Sequence, residues 1–315
     1  MTGEIAPSIT ALILSYNEEH HIARCIARLA GLARRIVVID SFSTDRTVEI
    51  ARSMGAEILQ RRFTNHAEQF NWGMAQAAIA TDWTLRMDCD EYLEPGLIMT
   101  LCREIPSLPK AVAAVEFRRK VIFQGKFIRW GGYHRTVLIR LWRTGRAEIE
   151  NRWMDEHVVL RGEGGDVRRI LDGGDLVDEN LSDLSWWTDK HNGYATRQMV
   201  EYVALEQPHL SNRTAVAADG AARHMRFVKT KFYARLPLYL RAFLYFGQRY
   251  ILRLGFLDGR KGLVWHVLQG FWYQMLVDAK VDEARAYIAA HGLDAFRAHL
   301  DARHGIRLSG PDDIA

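Results

Sequence analysis

Short apolar runs alternate with stretches of helical spacing along the first 90 residues of the chain. Four such runs, typical of buried strands, occupy 8–16, 34–40, 56–61 and 82–88. The stretches between them carry apolar residues three and four positions apart, as on one helix face, and occupy 17–32, 43–55 and 65–80. Because the connections are short, the pattern predicts an α/β fold with a Rossmann-like, mostly parallel central sheet.

The pattern changes after residue 110. From about 111 to 172, short runs and Gly-rich turns predict further strands in the same sheet, and a helix is expected over 182–207. After a linker rich in small residues, two long helices are predicted on either side of a turn at 255–262. The predicted domains are therefore an α/β domain, 1–215, and a C-terminal amphipathic helical region, 216–315.

The composition indicates more about the compartment and the partners of the protein than about its fold. The 315 residues are 48% hydrophobic and 25% charged, as in an ordinary globular protein, and the net charge is only +4. With no recognised motif, so small a positive excess argues against nucleic-acid binding. Three cysteines at no metal-like spacing indicate a reducing compartment. A signal-peptide pattern and an apolar run of about 18 residues are both missing, so a cytoplasmic location is expected.

Clustered acids follow the fourth predicted strand, in the stretch DWTLRMDCDEYLEP (82–95). Burial of Asp88, Asp90 and Glu91 would be costly unless these carboxylates were paired. Asp88 and Asp90 are two positions apart, so their side chains point the same way if the chain is extended. Such a pair predicts a site for Mg²⁺ or Mn²⁺ that substrate phosphates complete. A solvated acidic turn before a helix near Pro95 would explain the same residues.

Two other predicted strands also end in polar groups. Asn17 and Glu18 follow the first strand, and Asp40 ends the second. Ligands of open α/β sheets bind beyond the carboxyl ends of the strands, where these side chains would meet. Taken alone, Asp40 is equally explained as a helix cap, and Asn17 and Glu18 as a plain helix start.

The motifs ALILSYNEE, IVVIDSFSTDRTVEIA, QFNWGMAQA and DWTLRMDCDEYL, in this order, resemble the N-terminal half of the family 2 glycosyltransferases, which have the GT-A fold. The likeness continues through WMDEHVV, DKHNGYA and the stretch from YFGQRY to MLVDAK. The sequence is similar to the branch of this family that includes bacterial lipopolysaccharide-core and exopolysaccharide glucosyltransferases. The resemblance implies an inverting, metal-dependent hexosyltransferase that uses a nucleotide-sugar, with a UDP-sugar favoured.

The resemblance also implies roles for individual residues. Asp90 would ligate the metal, with Asp88 near the ribose and diphosphate, and Asp40 would contact the base or ribose. The backbone after the first strand would line the nucleotide pocket with Ser15, Tyr16, Asn17 and Glu18. The chain departs from the commonest pattern at Ser41 and Phe42, where many members have an acid and a glycine.

An inverting transfer also needs a base that takes the proton of the acceptor hydroxyl. Asp155 and Glu156 in RWMDEHVV (152–159) stand where the family places this base. Neighbouring side chains of an extended chain face opposite ways, so one of the two is expected to act, with Asp155 slightly favoured. Lys190 and His191 would hold the diphosphate as point charges, although a solvated helix face explains them as well.

Aromatic and basic residues occur together between 232 and 250, which is typical of a helix that lies on an anionic membrane. Packing against the α/β domain or a second subunit would explain the same composition. The implied acceptor is a lipid-linked or polysaccharide glycan at the inner face of the cell membrane. Two alternatives stay open: a non-catalytic scaffold of this fold that binds a membrane partner, and a nucleotidyltransferase. The latter normally has a Gly-rich basic loop where this chain has NEEHH.

Overall fold

A parallel sheet forms the first part of the fold. The computed structural model describes residues 7–154, 156–162, 165–206 and 236–308. The first four strands are β1 (Ile9–Ser15), β2 (Arg35–Asp40), β3 (Glu57–Gln60) and β4 (Trp83–Asp88). They run parallel in the order β3-β2-β1-β4. Every residue of β1 is buried, as expected of a strand covered on both faces.

Helices follow the strands in the predicted alternation. They are α1 (Ile22–Leu29), α2 (Thr47–Ser53), α3 (His66–Gln76) and α4 (Pro95–Glu104). In α1 the buried residues have the spacing of one helix face: Ile22, Cys25, Ile26 and Leu29. Both α1 and α2 begin later than predicted, because 17–21 and 43–46 form loops that hydrogen-bond to each other instead of helical turns.

Later strands extend the same sheet in mixed orientation. They are β5 (Glu91–Leu93), β6 (Val112–Phe123), β7 (Lys126–Phe127), β8 (Val137–Arg143), β9 (Ala147–Ile149), β10 (Val158–Leu160), β11 (Asp166–Ile170) and β12 (Leu176–Glu179). The order continues β4-β8-β6-β12-β5, with β7 and β11 also on β6, while β9 and β10 pair separately. β8 is antiparallel to β4 and β6. The predicted α/β class, with C-terminal helices, is confirmed.

The described residues form two compact units. The first lies within 1–63, 68–149 and 158–182, and the second within 64–67, 150–157 and 183–315. The core of the first unit is formed by β1, β2, β4, β6 and β8 together with the buried faces of α1 and α4. The predicted domain boundary between 215 and 216 lies outside the described residues.

The second unit is helical. Its helices are α5 (Leu184–Glu206), Leu240–Gly247, Gly259–Trp265, Tyr273–His291 and Leu293–His304, with π-helical turns at Gln248–Leu252 and His266–Trp272 and a 3-10 turn at Gly255–Asp258. The last helix was not predicted. The core packs α5 against Tyr273–His291, and buried Arg241 donates to Asp278 from Nε (2.6 Å). In the described parts of the chain, no helix combines the length and apolarity that crossing a bilayer requires.

One stability prediction comes from the close approach of α4 to the loop before β12. A Cβ added at Gly96 would lie 1.9 Å from the carbonyl oxygen of Gly173, which is backbone and cannot swing away. Gly96→Ala is therefore expected to lower the free energy of unfolding by about 1–3 kcal/mol or more, measured by urea denaturation. The matched control is Gly193→Ala in α5, where a Cβ meets nothing within 4 Å, and it should stabilise the protein by up to about 1 kcal/mol. Equal unfolding energies for the two variants would contradict this packing.

Candidate active site

The carboxyl ends of three neighbouring strands meet at one edge of the sheet. The register pairs Ser15 with Asp40 across β1 and β2, and Leu14 with Asp88 across β1 and β4. The ends of β2, β1 and β4 are thus level, so the loops that follow them share one edge. This edge contains the residues expected to line a nucleotide pocket.

Asp40 is completely buried, and both oxygens of its carboxylate accept hydrogen bonds from the chain. Oδ1 accepts from the hydroxyls of Ser15 (3.0 Å) and Ser43 (2.5 Å), and Oδ2 accepts from the Ser43 amide (2.9 Å) and Gln60 Nε2 (3.1 Å). Four hydrogen bonds match the roughly four acceptor positions of a carboxylate. Asp40 therefore fixes the loop after β2, and a direct contact with a ribose or base would require one of these bonds to open. The sequence analysis missed Ser43 and Gln60.

The loops after β1 and β2 hold each other by reciprocal hydrogen bonds. The amide of Asn17 donates to Ser43 Oγ (2.9 Å), and the amide of Thr44 donates to Asn17 Oδ1 (2.8 Å). The Glu18 amide donates to Thr47 Oγ1 (2.7 Å). Beside these hydrogen bonds Tyr16 is exposed, with 56% of its surface accessible, at the position predicted for the wall of the nucleotide pocket.

Each of these loops contains a non-glycine residue in the left-handed region. Asn17 has φ +53° and Phe42 has φ +62°. Asn tolerates this conformation, whereas for a bulky residue such as Phe it is an outlier that costs on the order of 1–3 kcal/mol. The glycine common in the family at this position is explained, because glycine adopts positive φ without strain. Phe42 is half exposed at the same edge.

The acidic stretch after β4 is a turn rather than an extended strand. β4 ends at Asp88, Cys89 and Asp90 form the turn, and Glu91 begins β5. The extended chain on which the expected alignment of Asp88 and Asp90 depends is therefore not present here. The two carboxylates have different neighbours, and each has a separate support.

Two buried arginines support Asp88. Arg140 of β8 donates to Asp88 Oδ2 (3.2 Å) and also to Glu91, and Arg86 lies 4.0 Å from Asp88 Oδ1. Burial raises the pKa of Glu91 to about 8, against the lowering effect of Arg140. The Asp88 amide donates to Glu91 Oε2 (3.0 Å), which closes the turn. The acids at this turn are thus compensated largely by the protein itself, a role for arginine that the sequence did not reveal.

Asp90 is held from β12. Asn180 Nδ2 donates to Asp90 Oδ2 (3.1 Å), and the Glu179 amide donates to the Asp90 carbonyl (3.0 Å). Arg24 of α1 clamps this strand end through Glu179 Oε2 (2.6 Å). Asn180 is therefore a candidate positioning residue for the predicted metal ligand. The sequence analysis missed it because it lies 90 residues away along the chain.

The residues present fit a divalent cation that takes most of its ligands from elsewhere. Among the described residues, no cluster of three or more His, Cys, Asp or Glu side chains could hold a metal alone. Mg²⁺ is usually bound through one or two carboxylates and substrate phosphates, rather than by an all-protein cage. Asp90, half-buried and oriented by Asn180, suits this type of site, and Asp88 is already engaged by arginine.

The segment expected to supply the base belongs to the second unit. The Glu150 amide donates to the His157 carbonyl (2.8 Å), which closes residues 150–157 into a loop. Buried Trp153 anchors this loop, and its amide donates to Glu201 Oε1 of α5 (2.7 Å). Glu156 is half-buried. Burial lowers the pKa of Arg197, and the negative charge of Glu156 acts to raise it. Asp155 lies outside the described residues.

Lys190 and His191 lie on α5 in different surroundings. Lys190 Nζ is 4.4 Å from the ring centre of Trp186. His191 stacks on Trp187 with ring centres 3.5 Å apart, and its Nδ1 lies 2.8 Å from the Trp187 carbonyl oxygen. Burial lowers the pKa of His191 to about 4, so its ring is neutral at pH 7. The predicted positive charge on His191 is absent, and any diphosphate contact it makes would be a neutral hydrogen bond.

Part of the chain matches the model of a known family. Residues 10–162 match the model of the family described as Glycosyl transferase family 2. An uncharacterized glycosyltransferase of Rickettsia bellii is 34% identical over 31% of this chain and 32% of its own length. The first curated relatives are thus matched over about a third of their length. The lipopolysaccharide core biosynthesis glycosyltransferase LpsC of Rhizobium meliloti is 24% identical over 92% of this chain and 98% of its own.

Solved structures resemble the chain more distantly. TarS (residues 1–349) of S. aureus is 15% identical, covers 95% of this chain and 92% of its own, and has a TM-score of 0.44. Glucosyl-3-phosphoglycerate synthase of Mycobacterium tuberculosis, solved with Mn²⁺, UDP and glucosyl-3-phosphoglycerate, is 22% identical over 36% of this chain and 44% of its own, with a TM-score of 0.30.

The buried neutral state of His191 predicts a pH-dependent stability. Its pKa is about 4 in the folded protein and about 6.5 when unfolded, so between these values the unfolded chain binds more protons. Stability should therefore fall as the pH drops from 6.5 to 4, with His191 contributing about 3 kcal/mol across this window at about 1.4 kcal/mol per pKa unit. Unfolding curves of wild type and His191→Gln at several pH values measure this slope.

The exposed His20 provides the control, because His20→Gln should leave the pH slope unchanged. His191→Gln loses its stacking on Trp187 at every pH, so only the slope is compared. An unchanged slope in His191→Gln would contradict the assignment.

Proposed function

From the family 2 glycosyltransferase domain over residues 10–162, we propose that this chain is an inverting, metal-dependent glycosyltransferase. It moves a hexose from a nucleotide-sugar, with a UDP-sugar favoured, to a lipid-linked or polysaccharide acceptor. The observation that carries the proposal is the level edge formed by β2, β1 and β4. There, interlocked loops and an acidic turn lie where α/β sheets bind nucleotides.

The donor would be bound by the first unit. Tyr16, Asn17 and Glu18 line the proposed nucleotide pocket, and Ser15 with Asp40 fixes the loop beside it. Because these loops are already laced together, they lose little conformational freedom when the donor binds. Asp88 is held by Arg140 near the proposed ribose and diphosphate, and Asp90 is the proposed ligand of Mg²⁺ or Mn²⁺. When bound, such a cation stabilises the negative charge of the leaving diphosphate.

The acceptor proton would be taken in the second unit by Asp155 or Glu156. A carboxylate base accepts the hydroxyl proton as the oxygen attacks the anomeric carbon in line. The hydrogen bond between Glu150 and His157 and the anchoring of Trp153 give Glu156 a fixed frame. Lys190 supplies positive charge for the diphosphate in this proposal, and neutral His191 supplies at most a hydrogen bond.

The proposed place of action is the inner face of the cell membrane. This location suits a lipid-linked or lipopolysaccharide acceptor, and LpsC, the full-length relative, is named for lipopolysaccharide core biosynthesis. The C-terminal helices would contact the membrane surface, and self-association into a homo-oligomer is compatible with the same helices. Lipopolysaccharide assembly is thus the favoured pathway class.

Asp90 provides the test of metal-dependent donor binding. Asp90→Ala should abolish the Mn²⁺-dependent part of UDP binding in calorimetry and lower sugar transfer by about 10²–10³-fold, because the leaving diphosphate loses its cation. Transfer is measured from a panel of labelled UDP-sugars into bacterial lipid and lipopolysaccharide extracts. Asp82→Ala, an exposed acid at the opposite end of β4, is the matched control and should behave as wild type. Normal Mn²⁺-dependent binding by Asp90→Ala would remove Asp90 as the ligand.

The base is tested by separating donor binding from transfer. Asp155→Asn or Glu156→Gln should keep UDP and Mn²⁺ binding but reduce transfer by about 10²–10⁴-fold, the usual contribution of a general base. Glu148→Gln on β9, which alters the ion pair of Glu148 with Arg161, is the control. If both single variants transfer sugar normally, neither acid is the base.

A further inference from the structure

The turn between the C-terminal helices exposes many large apolar side chains and buries an acid and a histidine. Twelve of the 22 large apolar side chains exposed in the described chain lie within residues 239–267, so exposure is concentrated here. We name residues 251–264 the apolar tip. Its exposed apolar side chains are Ile251, Leu252, Leu254, Phe256, Leu257, Leu263 and Val264, with Leu252 77% exposed. Large exposed apolar patches mark interaction surfaces.

Close packing beneath the tip holds this inverted arrangement. Asp258 and His266 are buried, and His266 Nε2 lies 3.8 Å from Asp258 Oδ2. A Cβ at Gly255 would lie 2.5 Å from His266 Nε2, and one at Gly262 would lie 2.2 Å from the Asp258 Cβ. The two glycines let the turn close over the polar pair. The apolar side chains therefore face outward as a consequence of a packed interior.

The charges of the tip have one sign. Asp258, its only acid, is buried, whereas Arg253, Arg260 and Lys261 are exposed. The sequence between Asp219 and Asp258 contains eight Lys or Arg residues and no acid over 38 positions. By contrast, 273–308 contains five acids and five Lys or Arg residues. Within the apolar tip itself, the exposed charged side chains are therefore all positive.

We propose that the apolar tip inserts into the headgroup region of an anionic lipid bilayer. Apolar side chains flanked by cations are the combination that binds such a surface, through burial of apolar area and attraction to acidic headgroups. A second copy of this chain is a poorer occupant, because pairing two tips would bring their exposed cations together. The proposal deepens the proposed membrane location and is independent of the proposed chemistry.

Vesicle binding tests the proposal on the full chain. Co-sedimentation is measured with vesicles of phosphatidylcholine alone and with about one third phosphatidylglycerol, at low salt and at about 0.5 M NaCl. Wild type should bind the anionic vesicles, more weakly at high salt, and bind the neutral vesicles much less. Leu252→Glu/Leu257→Glu should weaken this binding at least about a hundredfold, because both side chains lose apolar burial and gain repulsion. Met99→Glu, at a side chain 68% exposed on α4, is the matched control and should bind as wild type.

A second variant tests the charges without changing the apolar surface. Arg253→Gln/Arg260→Gln should weaken binding to anionic vesicles by about fivefold per cation removed and leave binding to neutral vesicles unchanged. Light scattering is run in parallel. A dimer that Leu252→Glu/Leu257→Glu dissociates, without vesicle binding by the wild type, would assign the tip to a second copy and overturn the proposal. Equal binding to both vesicle types would overturn its anionic part.

This assay needs neither donor nor acceptor, so its result is distinct from that of the transfer assay. A chain that binds anionic vesicles but transfers no sugar keeps the tip assignment and loses the proposed enzyme activity. A chain that transfers sugar to a soluble acceptor but ignores vesicles has the reverse outcome.

Discussion

Burial of carboxylates at the carboxyl edge of the sheet is the constraint on which the first unit depends. A buried charge without a partner costs far more than the stability of a typical domain allows, so each acid must be hydrogen-bonded, paired or protonated. All three solutions are present at this edge. Asp40 accepts four hydrogen bonds, Asp88 is paired with Arg140, and burial raises the pKa of Glu91 to about 8. Asp90 accepts a hydrogen bond from Asn180 and is the acid proposed above as the metal ligand.

The hydrogen-bond partners of each acid also indicate whether that acid supports the fold or is able to bind a ligand. An acid already saturated by the chain is a better scaffold than a ligand, because a new contact must first break an old one. Asp40 fits this description, so in the proposed site the nucleotide would be recognised by the loops that Asp40 supports. The outlier at Phe42 agrees with this reasoning, because strained non-glycine residues cluster at functional edges. Phe42 persists at positive φ since Ser43, the next residue, is tied to both oxygens of Asp40.

The sequence predicts what depends on local periodicity and misses what depends on register. The alternation of apolar runs and helical spacing predicts β1 to β4 and α1 to α3, because burial on both faces leaves a clear pattern. It places the starts of α1 and α2 too early. Asn17 and Ser43 are residue types that often begin helices, but here they hydrogen-bond to each other. Gln60, Arg140 and Asn180 reach the site from other strands, and only the register brings them there. A motif shows the acids, whereas their partners are visible only in the folded chain.

The apolar tip of the second unit exposes large apolar side chains while it buries an acid and a histidine, and this arrangement has a physical cost. Exposing Leu252 and its neighbours to water while burying Asp258 and His266 is unfavourable in a water-soluble turn. The close contacts of Gly255 and Gly262 show that the polar pair is buried by packing and not by a loose arrangement of the turn. The free-energy cost of exposing these apolar side chains to water is offset if the same surface lies in a less polar medium. The exposed cations of the tip, Arg253, Arg260 and Lys261, fit the negatively charged boundary of such a medium, and the proposed bilayer contact rests on this combination of charge and apolar exposure.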